Sequence, residues 1–140
     1  MRIGLTLLLV LVGACSADTR PALVVSDVTI TQPMPGMAMS AGYLTLTNSS
    51  EETITITRVS SPQYASVELH ESVVDDGVAR MRRLEKIEIP AGTNTILAPG
   101  GKHLMLMRPT AVAADSVSLQ FYDGATLLLT VTSSKPQDSG

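Results

Sequence analysis

The chain predicts an antiparallel all-β sandwich, and three observations carry that prediction. Short runs of alternating apolar and polar residues recur along it, separated by Gly, Pro, Asn and Asp turn residues. β-branched residues are abundant in those runs, and no window sustains helical periodicity. A length of 140 residues suits one domain with a single core.

The elements follow in order. "LVVSDVTIT" (23–31) places Val24, Val28 and Ile30 on one face. "GYLTLTN" (42–48) sets Leu44 and Leu46 against Tyr43, Thr45 and Thr47, and "TITIT" (53–57) does the same with Ile54 and Ile56 after the turn "NSSEE". In "SVELHE" (66–71), Val67 and Leu69 point one way, Glu68 and His70 the other. "DDG" (75–77) is a hairpin turn into "VARMRRL" (78–84). "IEIP" and "TNTILAPGG" lead to "KHLMLMRP", and "SVSLQFYDGATLLLTVT" (116–132) is a last hairpin about Asp123-Gly124. Residues 22–132 form the β-domain, and 133–140 read as a polar tail.

Before the domain, "MRIGLTLLLVLVGAC" has one basic residue, Arg2, and an apolar run from Ile3 to Val12. The run is short of the ~20 residues that span a bilayer and has the flanks of a secretory signal. It ends in small residues before Cys15, resembling a bacterial lipobox, so residues 1–15 read as a signal with Cys15 as the lipidated residue. Residues 16–21 are then a short tether, and the exported domain has no thiol, because Cys15 is the only cysteine.

Composition removes several function classes. A formal charge of −3 leaves no basic stripe for nucleic acid, and 3% aromatic residues leave no stacking platform. A domain without thiol excludes blue-copper electron transfer, thiol redox chemistry and cysteine nucleophiles. No nucleophile–base pair or diagnostic carboxylate pair marks an enzyme, so none is expected.

What stands out is the placement of the chain's two histidines beside methionines. In 103–107, His103, Met105 and Met107 share one strand face while Leu104 and Leu106 share the other. His103 and Met105 are about 7 Å apart along the strand, within the span of one metal ion. A two-residue turn at Asp75-Asp76 or Asp76-Gly77 brings His70 and Met81 to one face of their hairpin; a three-residue turn breaks that parity. Neutral thioethers with imidazoles favour Cu(I), whereas calcium or magnesium would want an oxygen cage. Met34, Met37 and Met39 in "MPGMAM" read as a copper-gathering loop or as methionines capping the sandwich, and Met107 as a wall of the pocket or a spare thioether. "RMRR" (80–83) reads as a solvated strand face or as a dock for an acidic partner.

The spacing of His70, Met81, His103 and Met105 is H-x10-M-x21-H-x-M. With "YLTLTN", "VELHE", "MRRLEKIEIPAG" and "LAPGGKHLMLM" around it, the pattern resembles the periplasmic copper chaperones of the PCuAC type over roughly residues 22–132. The resemblance implies a cupredoxin-like Greek-key β-sandwich or barrel that binds one Cu(I) per chain through His70, Met81, His103 and Met105. It implies delivery of copper to the CuA or CuB centre of cytochrome c oxidase, alongside a Sco-type thiol protein. The chain departs from some members of that family in having no His or Met in "TSSKPQDSG", so no second copper is expected at the C-terminus. The expected protein is thus a periplasmic, membrane-anchored monomer. Rival readings are copper sequestration without delivery and a structural lipoprotein sandwich. Imidazoles ligate only when deprotonated, so acid should weaken binding.

Overall fold

The computed structural model describes residues 21–33, 36–110 and 116–134. The predicted signal, Cys15, the tether up to residue 20, Met34 and the last six residues lie outside that set.

Eleven strands are present among the described residues: β1 (Leu23–Ile30), β2 (Met39–Asn48), β3 (Ile54–Ile56), β4 (Arg58–Ser60), β5 (Tyr64–Asp75), β6 (Val78–Leu84), β7 (Ile87–Ile89), β8 (Asn94–Leu97), β9 (Lys102–Pro109), β10 (Ser116–Asp123) and β11 (Thr126–Ser134). The predicted all-β antiparallel class is borne out. Seven strands run in the order β1-β2-β9-β5-β4-β10-β11, with β6 extending the far half of β5 and β8 the far half of β2. β3 and β7 form a separate two-stranded sheet. The Ser133 hydroxyl donates to the Val28 carbonyl at 3.5 Å, bringing β11 against β1, so the large sheet curls nearly closed. That closure hides edges that would otherwise template association.

Alternation fixes the core. Leu44, Leu46, Leu104, Leu106, Leu119 and Phe121 are all at most 2% exposed, and each sits in a strand whose intervening residues are more open. Leu69 faces Leu104 and Val67 faces Leu106 across β5 and β9, so the two strands share one apolar face. Their other face is thereby released for the histidines and methionines.

Three expectations need correction. Val24 does not share a face with Val28 and Ile30. Asp27 adopts φ 53° and the β1–β2 register slips between Ser26 and Thr29, which inserts one residue and inverts the alternation. Leu23, Val25, Val28 and Ile30 face the core instead, and Val24 is 39% exposed. Second, Met39 is not a loop residue: it opens β2, which starts three residues earlier than predicted. Third, Ser133 and Ser134 belong to β11 and not to the tail.

Candidate metal centre

The centre is built on the outer face of three adjacent strands, β6, β5 and β9. The β5–β6 turn decides whether the face can assemble. Asp75 pairs with Val78, so the loop is the two residues Asp76-Gly77, with φ 49° and 76°. Two consecutive positive φ values define a type I′ turn, and Asp-Gly is a favoured pair for it. The resulting register sets Ser72 opposite Met81 and His70 opposite Arg83. Met81 and His70 are therefore diagonal neighbours on one face, the arrangement a two-residue turn predicts.

On the other side of β5 the register is closer still. His70 is the direct partner of His103, and Glu68 of Met105. The two imidazole centroids are 6.0 Å apart, with planes tilted by 42°. One ion ~2.0 Å from a nitrogen of each ring could span that separation. His103 is 4% exposed and Met105 half-buried, whereas Met81 is 56% exposed, so the face runs from a closed to an open end.

Hydrogen bonds fix which nitrogens are available. The turn Ala98-Pro99-Gly100-Gly101 has Pro second, Gly100 third at φ 80°, and the Gly101 N–H donating to the Ala98 carbonyl at 3.0 Å. This is a type II turn, which needs Gly where φ is positive. It aims the Gly101 carbonyl back at the sheet, where it accepts from His103 Nδ1 at 2.9 Å and from the Ser72 N–H at 3.0 Å. A carbonyl only accepts, so His103 carries its proton on Nδ1, leaving the Nε2 lone pair. His70 Nε2 lies 2.9 Å from Glu68 Oε2. The hydrogen bond from His70, aided by the Arg83 guanidinium at 3.4 Å, holds the Glu68 carboxyl below the ordinary glutamate value against a smaller effect of burial. An ionised carboxylate only accepts, so His70 is protonated on Nε2 and its lone pair is on Nδ1. That Nδ1 is buried and has no hydrogen-bond partner among the described residues. A buried imidazole nitrogen left so costs about 1–3 kcal/mol, a cost that a bound cation would remove.

The donor set is soft. Among the described residues no group of three or more His, Cys, Asp or Glu side chains is placed to hold a metal. Two imidazoles would need thioethers to complete a shell, and this suits a closed-shell monovalent ion better than zinc. Of the sequence candidates, His70, His103, Met105 and Met81 share this face, and Met107 continues it along β9. Met39 joins it as the partner of Met107, whereas Met37 lies in the preceding loop, 44% exposed. The sequence placed Glu68 on the face of His70 but gave it no role in the site; the signal for one was that i, i+2 spacing on one strand.

Behind the face, Glu71 bridges Arg82 at 2.7 Å and Lys102 at 3.0 Å, tying the same three strands together on the opposite side. Two of the arginines of "RMRR" are thus engaged with Glu68 and Glu71.

Comparison with known proteins places this architecture. A family model described as "Putative lipoprotein LpqE-like" matches residues 23–132. A protein of Leifsonia xyli subsp. xyli described as "Putative lipoprotein Lxx21020" is 35% identical over 96 residues, covering 65% of this chain and 58% of that protein. An uncharacterised protein of Rickettsia prowazekii is 29% identical over 86 residues, covering 59% of this chain and 48% of its own. The chain thus aligns with only about half of the length of these relatives. Among solved structures, the apo PCuAC domain of PmoF2 superposes with a TM-score of 0.65 at 18% identity, covering 85% of this chain and 93% of that one. Its copper-bound form gives 0.64 at 17% identity, covering 85% and 94%. Apo-DR1885 from Deinococcus radiodurans gives 0.61 at 22% identity, covering 99% and 95%. These likenesses establish the PCuAC fold.

Proposed function

We propose that this chain, which belongs to the LpqE-like family, is an exported, lipid-anchored copper chaperone. It holds one Cu(I) between His70, His103, Met105 and Met81 and passes it to an acceptor. The observation that carries this reading is the direct pairing of His70 with His103 on a face shared with Met105 and Met81. Each imidazole has one nitrogen occupied by an acceptor, which leaves the other for the cargo. The solved PCuAC domain of PmoF2 with copper bound, which has the same fold, supports copper as that cargo. The family description and the small residues before Cys15 support the anchor.

The site holds the ion and performs no turnover. Thioethers are neutral and readily displaced, so an incoming thiolate can replace them one at a time while the copper stays Cu(I). Met81, at the open end of the face, is the ligand an acceptor reaches first. The acceptors we infer are the copper-binding subunit of cytochrome c oxidase, for CuA or CuB assembly, and a Sco-type thiol protein. The test is to mix the Cu(I)-loaded protein with an apo CuA domain, separate them and measure copper on each. Copper is expected on the CuA domain with the wild type, and far less with His103→Ala, which cannot be loaded. Copper retained by the wild type in front of a competent acceptor would replace delivery with sequestration.

A further inference from the structure

The methionines outside the four-residue set converge on one place. Met39 and Met107 are direct partners across β2 and β9. Directly opposed side chains have Cβ atoms about 4.5–5.5 Å apart, so both thioether sulfurs can reach one ion. The neighbours Ser40 and Leu106 are 2% and 0% exposed and face the core, whereas Met39 and Met107 are half-buried on the opposite face. A methionine used as filler belongs in the core; these two line a cleft of about 420 Å³ together with Ala38, Ser66, Glu68 and Arg108. Glu68 is also the side chain that holds His70, so the cleft and the candidate centre share a wall.

The local backbone is held to make this cleft. Arg108 adopts φ 53°, uncommon for a residue with a side chain, and its N–H donates to the Ala38 carbonyl at 2.7 Å. Such conformations are strained and persist where the surrounding structure enforces them. Here the bend clamps the segment before Met39 onto the end of β9. Along β9 the row continues from Met107 to Met105, about 7 Å away on the same face. Across from Met105, β2 offers only the methyl group of Ala41. Two thioethers, with the Glu68 carboxylate offset by the Arg108 guanidinium in the same lining, make a soft pocket without net charge, which suits a monovalent d10 cation and gives a hard divalent ion too few oxygens.

We propose that Met39 and Met107 form a second, weaker thioether site for a soft monovalent cation, Cu(I) or Ag(I), one strand step from Met105. The proposal rests on the function proposed above and adds a second equivalent to it. Binding is ligand exchange at the ion, with no change in its charge and no proton released.

The test is an Ag(I) titration of the full chain labelled with 13C at its methionine methyl groups, each assigned by Met→Leu substitution. Met81 and Met105 methyls should shift in the first equivalent, and Met39 and Met107 in the second, for two ions bound. The Met39→Leu/Met107→Leu double variant, which conserves volume, should lose only the second equivalent. If the Met39 and Met107 methyls stay still while Met81 and Met105 shift, or the double variant still binds two ions, the second site is overturned and the first stands. If no methionine methyl shifts, the function proposed above fails, and this site with it.

Discussion

Adjacent residues on β9 do different work because a strand alternates its faces. Leu104 is fully buried against Leu69, whereas Met105 sits half-buried on the outer face opposite Glu68. Leu104→Ala should therefore cost about 2–5 kcal/mol in a denaturant titration and leave the ligands untouched. Met105→Leu should change stability by less than about 1.5 kcal/mol while measurably weakening Cu(I) binding. Equal effects of the two on binding would remove Met105 from the site. Glu68 acts through His70, whose Nε2 proton it accepts. Glu68→Ala should weaken Cu(I) affinity about 10–100-fold, the usual effect of losing a partner of a metal-bound imidazole. Glu68→Gln, which can still accept, should recover part of that loss; a variant series without any trend would detach Glu68 from the centre. The role of Glu68 was not legible in the sequence because an acidic residue alternating with Val67 and Leu69 looks like ordinary solvent face. Asp27 was unreadable for a related reason: alternation carries no mark of where a left-handed residue will interrupt it.

At the scale of elements, the β5–β6 hairpin sets the register of the site. The hairpin turn at "DDG", the strand parity and the His-x10-Met spacing were legible; which residues form the loop was not. It is the two-residue Asp76-Gly77 turn of the structure that puts Met81 beside His70. Exchanging the residues at 81 and 82 (Met81→Arg with Arg82→Met) keeps composition and charge but turns the thioether to the opposite face. Cu(I) affinity should fall as far as in Met81→Ala, with the fold preserved by circular dichroism; wild-type affinity would mean that the thioether at 81 is dispensable. The Glu71 ladder gives the same strands a pH-dependent tie. Hydrogen bonds from Arg82, then Lys102, lower the Glu71 carboxyl below the usual 4.5. A depressed carboxyl stabilises the fold above its unfolded value, and that contribution is lost as pH falls through the lower folded value. Urea midpoints should thus drop more steeply below pH 4.5 for the wild type than for Glu71→Gln, and parallel profiles would show the ladder to be idle. Met39 was the element-scale surprise. The Pro and Gly of "MPGMAM" signalled a loop, yet pairing with β9 starts the strand at Met39.

Across the whole molecule, the near-closed antiparallel sheet spends one face of β5 and β9 on the core and leaves the other to soft ligands. The fold class was legible because strand periodicity, turn residues and length agree. The partner order of the strands was not, since pairs such as β4 with β10 join segments some 60 residues apart. The central claim is that His70, His103, Met81 and Met105 together bind one Cu(I) tightly. It is tested most directly by titrating Cu(I) from a chromophoric chelator into the wild type and the four single alanine variants. The wild type should withdraw one equivalent from the chelator, with the second, thioether site outcompeted, and each alanine variant should withdraw much less. A wild type that leaves the chelator fully loaded, or four variants that compete as well as it does, would contradict the account.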